Sequence, residues 1–171
     1  MQRIKSCIRA IENFPVPGVT FRDITPLLAS PKILKLTIHQ LVYPFVGQGI
    51  DYVAGMEARG FIFGSLCAHE LDVGFIPLRK PGKLPHRTTS VSYTLEYDDS
   101  TLEAHTDAVE HGDRILLVDD LIATGGTAAA SCQLLESLGG KIVACAFVIE
   151  LDALQGRKAL DGHSIHSLIH Y

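Results

Sequence analysis

The chain has 171 residues, four cysteines and a formal net charge of −4 at pH 7, and 47% of its residues are hydrophobic. This length is typical of one domain with a full core, so we expect a single domain over residues 1–171. The acidic balance gives no general attraction to nucleic acid or to an anionic membrane. With no signal-peptide pattern and no apolar run of transmembrane length, we expect a cytoplasmic protein.

The cysteine and histidine patterns favour neither disulfides nor a structural metal. The cysteines lie far apart, in apolar or small-residue contexts that predict buried free thiols in a reducing compartment. No cysteine–histidine cluster has zinc spacing, and His163, His166 and His170 are interpreted as a polar strand face. We therefore expect no metal site built from the protein alone. The cysteines in question are Cys7, Cys67, Cys132 and Cys145.

The first 30 residues are expected to form an arm ahead of the sheet. Ile4, Ile8 and Ile11 have the spacing of one face of a short opening helix. Residues 14–23 are too rich in proline and glycine for regular structure. Ser30 and Pro31 then have the features of an N-cap and a first helical position, and predict a helix through about Val46.

From residue 52 onward, strand and helix patterns alternate, which predicts an α/β fold with a parallel twisted sheet flanked by helices. An antiparallel pair, residues 93–97 and 101–105, is predicted around an Asp98-Asp99-Ser100 turn. The other predicted elements are strands at 52–55, 74–78, 115–118, 142–149 and 164–170, helices at 60–70 and 126–138, and a short helix before the last strand.

Residues 115–127 carry the strongest functional signal: Ile-Leu-Leu-Val-Asp-Asp-Leu-Ile-Ala-Thr-Gly-Gly-Thr. A buried strand leads into Asp119 and Asp120, then into a loop of small residues and a helix. In parallel sheets this strand end is where ligands bind. The carboxylates suit sugar hydroxyls, and the N–H groups of the loop and helix suit a phosphate. The alternative is a structural turn with Thr127 capping the helix. Neither a P-loop nor a dinucleotide-binding motif is present.

Residues 79–87, Arg-Lys-Pro-Gly-Lys-Leu-Pro-His-Arg, also follow an apolar strand. Charge alone favours a solvated basic loop. Its position at a strand end is equally compatible with a mobile lid that excludes water and neutralises an anionic leaving group. We expect residues 79–105 to form this lid and its hairpin.

Two further segments are weaker candidates. In Met-Glu-Ala-Arg-Gly-Phe-Ile-Phe-Gly, residues 56–64, Glu57 and Arg59 could simply pair with each other, and Gly60 suggests close backbone approach. The arm around Phe21 could be structural, or it could offer a flat slot for a heterocyclic base through stacking and main-chain hydrogen bonds.

Taken in order, these segments resemble the adenine phosphoribosyltransferase family of type I phosphoribosyltransferases. The resemblance covers nearly the whole chain: Phe-Pro-x-Pro-Gly-x-x-Phe-Arg-Asp, Glu-Ala-Arg-Gly-Phe, Arg-Lys-x-Gly-Lys-Leu-Pro, Leu-Glu-Tyr and residues 115–127. It implies a type I phosphoribosyltransferase fold with a flexible β-hairpin lid and an N-terminal base-binding arm, residues 1–30. The implied reaction is purine salvage: phosphoribosyl pyrophosphate and adenine give AMP and pyrophosphate. A homodimer and substrate-bound Mg²⁺ are also implied.

The resemblance also implies a role for each candidate residue. Glu96 would be the acid–base group, with Tyr97 closing the site and Arg59 assisting. Adenine would be bound by Val19, Thr20, Phe21, Arg22 and Arg59. The phosphoribosyl group would be bound by Asp119, Asp120, Ala123, Thr124, Gly125, Gly126 and Thr127. Pyrophosphate would be bound by Arg79, Lys80 and Lys83, some of them from a partner subunit; Arg87 is given no role because its surroundings depart from the family pattern.

Two alternatives remain at this point. One is a phosphoribosyltransferase for another base, such as xanthine or orotate, against which the arm and Leu-Glu-Tyr argue. The other is a regulator that senses phosphoribosyl pyrophosphate without catalysis. Only about a dozen residues precede the Phe-Pro-x-Pro-Gly motif that begins at Phe14, too few for a helix-turn-helix module, which disfavours the regulator.

Overall fold

The computed structural model describes residues 1–94 and 99–171. Its centre is a wholly parallel sheet of five strands, accompanied by two small antiparallel pairs. The helices are α1 (Gln2–Lys5), α2 (Thr25–Leu28), α3 (Pro31–Val42), α4 (Arg59–Leu71) and α5 (Gly126–Ser137), with 3₁₀ turns at Tyr43–Phe45, Asp152–Leu154 and Gly156–Leu160. The strands are β1 (Arg9–Glu12), β2 (Thr20–Asp23), β3 (Tyr52–Met56), β4 (Gly74–Leu78), β5 (Thr88–Thr94), β6 (Asp99–His105), β7 (Arg114–Ile122), β8 (Lys141–Glu150) and β9 (Ile165–His170).

Strand β7 lies in the middle of the parallel sheet, whose order is β4-β3-β7-β8-β9. Residues 115–118 of this strand are completely buried. A central parallel strand is covered on both faces, so apolar side chains are needed at every position rather than at alternate ones. The parallel sheet flanked by helices that the sequence predicts is confirmed.

The two faces of the sheet are covered differently. Leu116 and Val118 pack into a core with α3 and α4, whereas Ile115 and Leu117 pack into a second core with α5 and strand β6. This division follows from the alternation of side chains along a strand. Both cores leave the carboxyl ends of β3 and β7 open at one edge of the sheet.

The first 30 residues differ from the prediction. The opening helix ends at Lys5, and Ile11 lies in β1 opposite Phe21 of β2. The segment predicted to be irregular is therefore regular over Thr20–Asp23. The main-chain groups of β2 are paired with those of β1, and such pairing depends on a second segment that local proline and glycine content does not reveal.

Two other predicted elements have different bounds. The helix that begins at Pro31 ends at Val42 and continues only as a 3₁₀ turn, because Pro44 has no N–H to donate to a helical bond. The antiparallel pair is confirmed, but Asp99 and Ser100 are paired residues of β6 rather than part of a turn. Asp98 lies outside the described residues.

All four cysteines are free thiols, as expected, and three of them are buried. Cys132 and Cys145 contact each other, with their sulfur atoms 3.6 Å apart. Among the described helices, none has the length and apolar composition needed to cross a bilayer.

Candidate active site

A cavity of about 300 Å³ opens at the carboxyl ends of β3 and β7. It brings together two segments that are far apart in the sequence, the start of α4 and the run that leads into α5. This is the strand end at which parallel sheets bind ligands. The lining residues are Met56, Glu57, Ala58, Arg59, Asp119, Asp120, Leu121, Ile122, Ala123, Thr124, Gly125, Gly126, Thr127, Ala128 and Phe147.

Asp119 and Asp120 form a crowded pair of carboxylates in this cavity. Asp120 is 3% exposed, and Arg59 Nε lies 3.1 Å from its Oδ2. The geometry of this ion pair is not that of a hydrogen bond, so Oδ2 has no hydrogen-bond partner among the described residues. Buried acceptors without donors are unfavourable. Asp120 Oδ2 is thus an acceptor that the described residues leave unused.

The electrostatics of the pair follow from its burial. Desolvation, and then the charge of Asp120, raise the pKa of Asp119 well above its ordinary value. Desolvation also raises the pKa of Asp120, against the opposing effect of Arg59. Both carboxylates are thus held in surroundings that disfavour their negative charge.

Gly60 lets α4 begin directly against β7 at Val118 and Asp119. A Cβ at this position would lie 2.8 Å from Asp119 Oδ1 and 3.2 Å from the carbonyl oxygen of Val118. No side chain can be accommodated there without moving the carboxylate. The expected close backbone approach at Gly60 is confirmed.

The loop after β7 ends in a helix N-terminus without a side-chain cap. Gly125 is the N-cap residue and has a φ of +83°, a left-handed conformation that favours glycine. Thr127 lies inside α5, so the alternative in which it caps the helix is wrong. The first N–H groups of α5 have no intrahelical partners, and together with the helix dipole they form a suitable anion-binding surface.

The arm brings an aromatic ring to the same region. The Arg59 guanidinium lies 5.4 Å from the centre of the Phe21 ring, and Phe14 packs edge-on against that ring at 5.3 Å. Arg22 points elsewhere and stacks on Tyr171 at 3.8 Å. Phe21 and Arg22 diverge because successive side chains of a strand point to opposite sides.

The start of the predicted lid is tied to the edge of the cavity. Arg79 Nε donates to Glu57 Oε2 at 2.8 Å, and the Lys80 N–H donates to Glu57 Oε1 at 3.0 Å. Desolvation would raise the pKa of Glu57, but these two donors lower it overall. The suggested pairing of Glu57 with Arg59 is wrong, since each has another partner. Lys80 and Lys83 are exposed, and neither they nor Arg79 lines the cavity.

Two predicted site residues, Glu96 and Tyr97, lie outside the described residues. The contacts of two other residues, Glu57 and Asp23, are not among those predicted from the sequence. The sequence suggests only Arg59 as a partner of Glu57, whereas the structure pairs Glu57 with Arg79 and Lys80. Asp23 accepts hydrogen bonds from the N–H and the hydroxyl of Thr25, each at 2.9 Å, and so fixes the turn from β2 into α2. An Asp two residues before a Thr is a local capping signal that could have identified it.

No protein-built metal cage lies in the described part of the cavity. The one group of potential ligands found among the described residues is Glu150, Asp152 and His170, away from the cavity lining. Both oxygens of Glu150 already accept from Arg157, at 2.6 and 2.7 Å. The carboxylates within the cavity are Glu57, Asp119 and Asp120.

Comparison with known proteins agrees with this geometry. The family described as "Phosphoribosyl transferase domain" matches residues 27–168. The adenine phosphoribosyltransferase of Methylococcus capsulatus is 64% identical over the full length of both chains. The structure of the Thermoanaerobacter pseudethanolicus enzyme is 50% identical, covers 99% of each chain and has a TM-score of 0.96. The Saccharomyces cerevisiae enzyme, solved with adenine bound, is 38% identical, with 98% of this chain and 97% of that chain covered and a TM-score of 0.90. A match this complete in both sequence and fold means that the chain belongs to the adenine phosphoribosyltransferase family.

Proposed function

We propose that the cavity at Asp119 and Asp120 is the active site in which the chain carries out its family's reaction. In that reaction a purine nitrogen of adenine bonds to the anomeric carbon of phosphoribosyl pyrophosphate, and the carbon–oxygen bond to pyrophosphate breaks. The products are AMP and pyrophosphate. The observation that carries this proposal is the position of Arg59, which contacts Asp120 and the Phe21 ring together.

Asp119 and Asp120 would accept hydrogen bonds from the ribose hydroxyls. Asp120 Oδ2 has no hydrogen-bond donor among the described residues, and a ligand hydroxyl would supply one. The 5′-phosphate would be bound by the loop and the start of α5, that is, by Ala123, Thr124, Gly125, Gly126 and Thr127. The free N–H groups and positive end of the helix dipole support this assignment.

Adenine would stack on Phe21 and bind the main chain of residues 19–22, with help from Arg59. Strand β2 pairs with β1 alone among the described strands, so its other edge offers unpaired N–H and C=O groups. A purine edge needs such an alternation of donors and acceptors. The yeast relative, whose structure contains adenine, is consistent with this substrate.

Pyrophosphate would be neutralised by Arg79, Lys80 and Lys83 as the lid closes. In the present conformation Arg79 is held by Glu57, so lid closure would exchange this carboxylate for the leaving group. Mg²⁺ would be carried by the substrate, which fits a cavity that offers carboxylates but no complete cage among the described residues. When bound, the ion neutralises charge on pyrophosphate.

The chain's own contribution to the chemistry is mainly positioning and electrostatics. Cleavage of a bond at an anomeric carbon passes through an oxocarbenium-like state. The carboxylates of Asp119 and Asp120, next to the ribose, would fix the sugar during this change. Glu96 would be the acid–base group that exchanges a proton with the purine nitrogens, and Tyr97 would close the site. No covalent nucleophile is required, since the purine nitrogen attacks directly.

We also propose a cytoplasmic homodimer in which lid cations reach the partner's site. The exposed Lys80 and Lys83, which do not line the cavity of their own chain here, are compatible with this arrangement. Mixing a Lys83→Ala variant with an Asp119→Asn variant would create one site with both residues intact and should restore activity in part. No recovery, in verified heterodimers, would contradict sharing of the lid.

The direct test is product formation with purified protein, phosphoribosyl pyrophosphate, Mg²⁺ and each candidate base in turn. AMP should form from adenine, with xanthine, orotate, hypoxanthine and guanine far less effective. The Asp119→Asn variant is the control for contaminating activity. Equal or better turnover of another base would contradict the proposal, as would binding of phosphoribosyl pyrophosphate without any product.

A further inference from the structure

The back of the phosphate loop, defined here as residues 123–127, is covered by the 3₁₀ turn Gly156–Leu160. Gly156 is buried, and a Cβ there would overlap the carbonyl oxygen of Ala123 and lie 2.8 Å from Ile122 Cγ1. Conversely, a Cβ on Gly125 would overlap the carbonyl oxygen of Gly156. The two backbones therefore touch with no space for a side chain between them.

The residue after Gly156 is fixed by a two-point ion pair. Arg157 Nε donates to Glu150 Oε1 at 2.6 Å, and Arg157 Nη2 donates to Glu150 Oε2 at 2.7 Å. Glu150 is 5% exposed and ends strand β8, so it is rigidly placed. Hydrogen bonds from Arg157 are the main reason that the pKa of Glu150 is lowered despite its burial. Such a two-point pair sets orientation as well as distance.

Most of the turn is exposed to solvent. Arg157, Lys158 and Ala159 are exposed, and only Gly156 and Leu160 are buried. Leu160 anchors the far end in the core with α5. At the end that touches the phosphate loop, Gly156 lies against Ile122, and Arg157 is the side chain that fixes the turn, through Glu150 and through a 3.4 Å hydrogen bond to the carbonyl oxygen of Ile165.

We propose that Arg157, oriented by Glu150, is a positioning residue for binding of the 5′-phosphate. By holding Gly156 against Ala123 and Gly125, it keeps the phosphate loop in the shape in which its N–H groups converge on one anion. This inference rests on the proposed function, in which the phosphate loop binds the 5′-phosphate. Arg157 itself is not among the residues that line the cavity.

The test compares Arg157→Ala and Gly156→Ala with the matched control Lys158→Ala, which removes an exposed cation from the same turn. KM is measured separately for phosphoribosyl pyrophosphate and adenine, and binding of ribose 5-phosphate and of adenine is measured by calorimetry. Displacement of the loop by up to about 1 Å should weaken both phosphate-bearing ligands by roughly ten- to a hundredfold. Adenine binding should be unchanged in Arg157→Ala and Gly156→Ala. The Lys158→Ala variant should bind all of these ligands as the unmodified protein does.

The outcomes separate the inference from the proposed function. If the unmodified protein does not bind ribose 5-phosphate, the assignment of the phosphate loop fails. If it does, and both test variants bind ribose 5-phosphate normally, the positioning role is overturned. An equal loss of adenine and ribose 5-phosphate binding by folded variants would overturn it too.

If Arg157→Ala or Gly156→Ala does not fold, two milder substitutions still test the positioning role. Arg157→Lys retains the charge but cannot form the two-point pair, and Glu150→Gln retains the shape of the acceptor but not its charge. Both should show the same selective loss of phosphate-bearing ligands, smaller than for Arg157→Ala. Normal ribose 5-phosphate binding in both would contradict the inference.

Discussion

The guanidinium of Arg59 lies 3.1 Å from the carboxylate of Asp120. The same guanidinium lies over the Phe21 ring, so it touches a residue assigned to ribose and a residue assigned to adenine. Ribose hydroxyls that bind Asp120 would weaken its hold on Arg59 and leave the guanidinium available to the base. The two substrates are therefore expected to bind interdependently.

The first prediction is that ribose 5-phosphate tightens adenine binding and that Arg59→Ala removes this effect. Coupling between two ligands is commonly worth about 1–3 kcal/mol, or roughly 5- to 150-fold in affinity. Calorimetric titration of adenine, with and without saturating ribose 5-phosphate, measures the coupling directly. Arg3→Ala, a change remote from the cavity lining, is the control. If the Arg59→Ala variant shows the same coupling as the unmodified protein, Arg59 does not link the two binding sites.

The second prediction concerns activity. Asp119→Asn and Asp120→Asn should both lower kcat/KM for phosphoribosyl pyrophosphate, by about ten- to a hundredfold if one charged hydrogen bond of about 1.5–3 kcal/mol is lost. Asp119 should be the more damaging position, because it retains accessible surface while Asp120 is 3% exposed and already faces Arg59. Steady-state kinetics at low substrate concentration give the comparison. Full activity in both variants would remove the ribose assignment.

The third prediction is that Asp119→Asn stabilises the fold while reducing activity. The pKa of Asp119 is raised in the folded protein, so its charged form opposes folding above the ordinary carboxyl pKa of 3.8. The unmodified protein should therefore recover relative stability as pH falls through the raised folded pKa. The melting temperature of the variant should be higher near pH 7, and its advantage should vanish toward pH 4. Asp161→Asn, at an exposed site, should show no such trend.

The extent to which this site could be predicted depended on how local each feature is. Asp119, Asp120 and the phosphate loop are contiguous and follow a continuously apolar run, so their position toward the carboxyl end of one buried strand could be inferred. The strand was expected to end at Val118, but β7 continues through both carboxylates to Ile122. The ion pair of Glu57 with Arg79 could not, because it joins the ends of β3 and β4 and depends on the order of strands in the sheet.

The distinction between local and long-range features also explains why two other parts of the structure could not be predicted from the sequence. Helix α5, strand β8 and a 3₁₀ turn separate Gly156 from Ala123, and nothing in the immediate sequence of Gly156 indicates that the two backbones touch. Thr20–Asp23 forms a strand because β1 pairs with it, against a local sequence that disfavours regular structure. Long-range packing overrides local propensity at both places.

The fourth prediction concerns the lid. Lys83→Ala should raise KM for phosphoribosyl pyrophosphate more than KM for adenine, because an exposed cation that meets pyrophosphate has no role in holding the base. Glu57→Gln should free Arg79 and make residues 79–87 more susceptible to limited proteolysis without ligand. Saturating phosphoribosyl pyrophosphate should protect this segment in the unmodified protein. Equal cleavage with and without ligand would contradict closure.

The fifth prediction is that the main chain, rather than side chains, selects adenine over hypoxanthine. Adenine presents a donor at its amino group and an acceptor at the neighbouring ring nitrogen, and hypoxanthine reverses both. A site whose buried groups match one pattern can reject the other by roughly 10⁴-fold, because those groups are left unpaired. Substitution of Thr20 or Arg22 should therefore change affinity more than base preference. Comparable kcat/KM for the two bases would contradict the assignment of residues 19–22.

Phe21→Ala provides the matched test of stacking. Loss of the ring should weaken all purines alike, by about 1–3 kcal/mol if the contact resembles other base–aromatic stacks. Phe14→Ala is the informative comparison, because Phe14 supports the Phe21 ring from its edge. This substitution should also weaken purine binding, but by less than Phe21→Ala does. Binding of ribose 5-phosphate should be unaffected in both variants, since the arm lies apart from the phosphate loop. A Phe21→Ala variant that loses adenine but keeps hypoxanthine would instead show that the ring, and not the main chain, determines base choice.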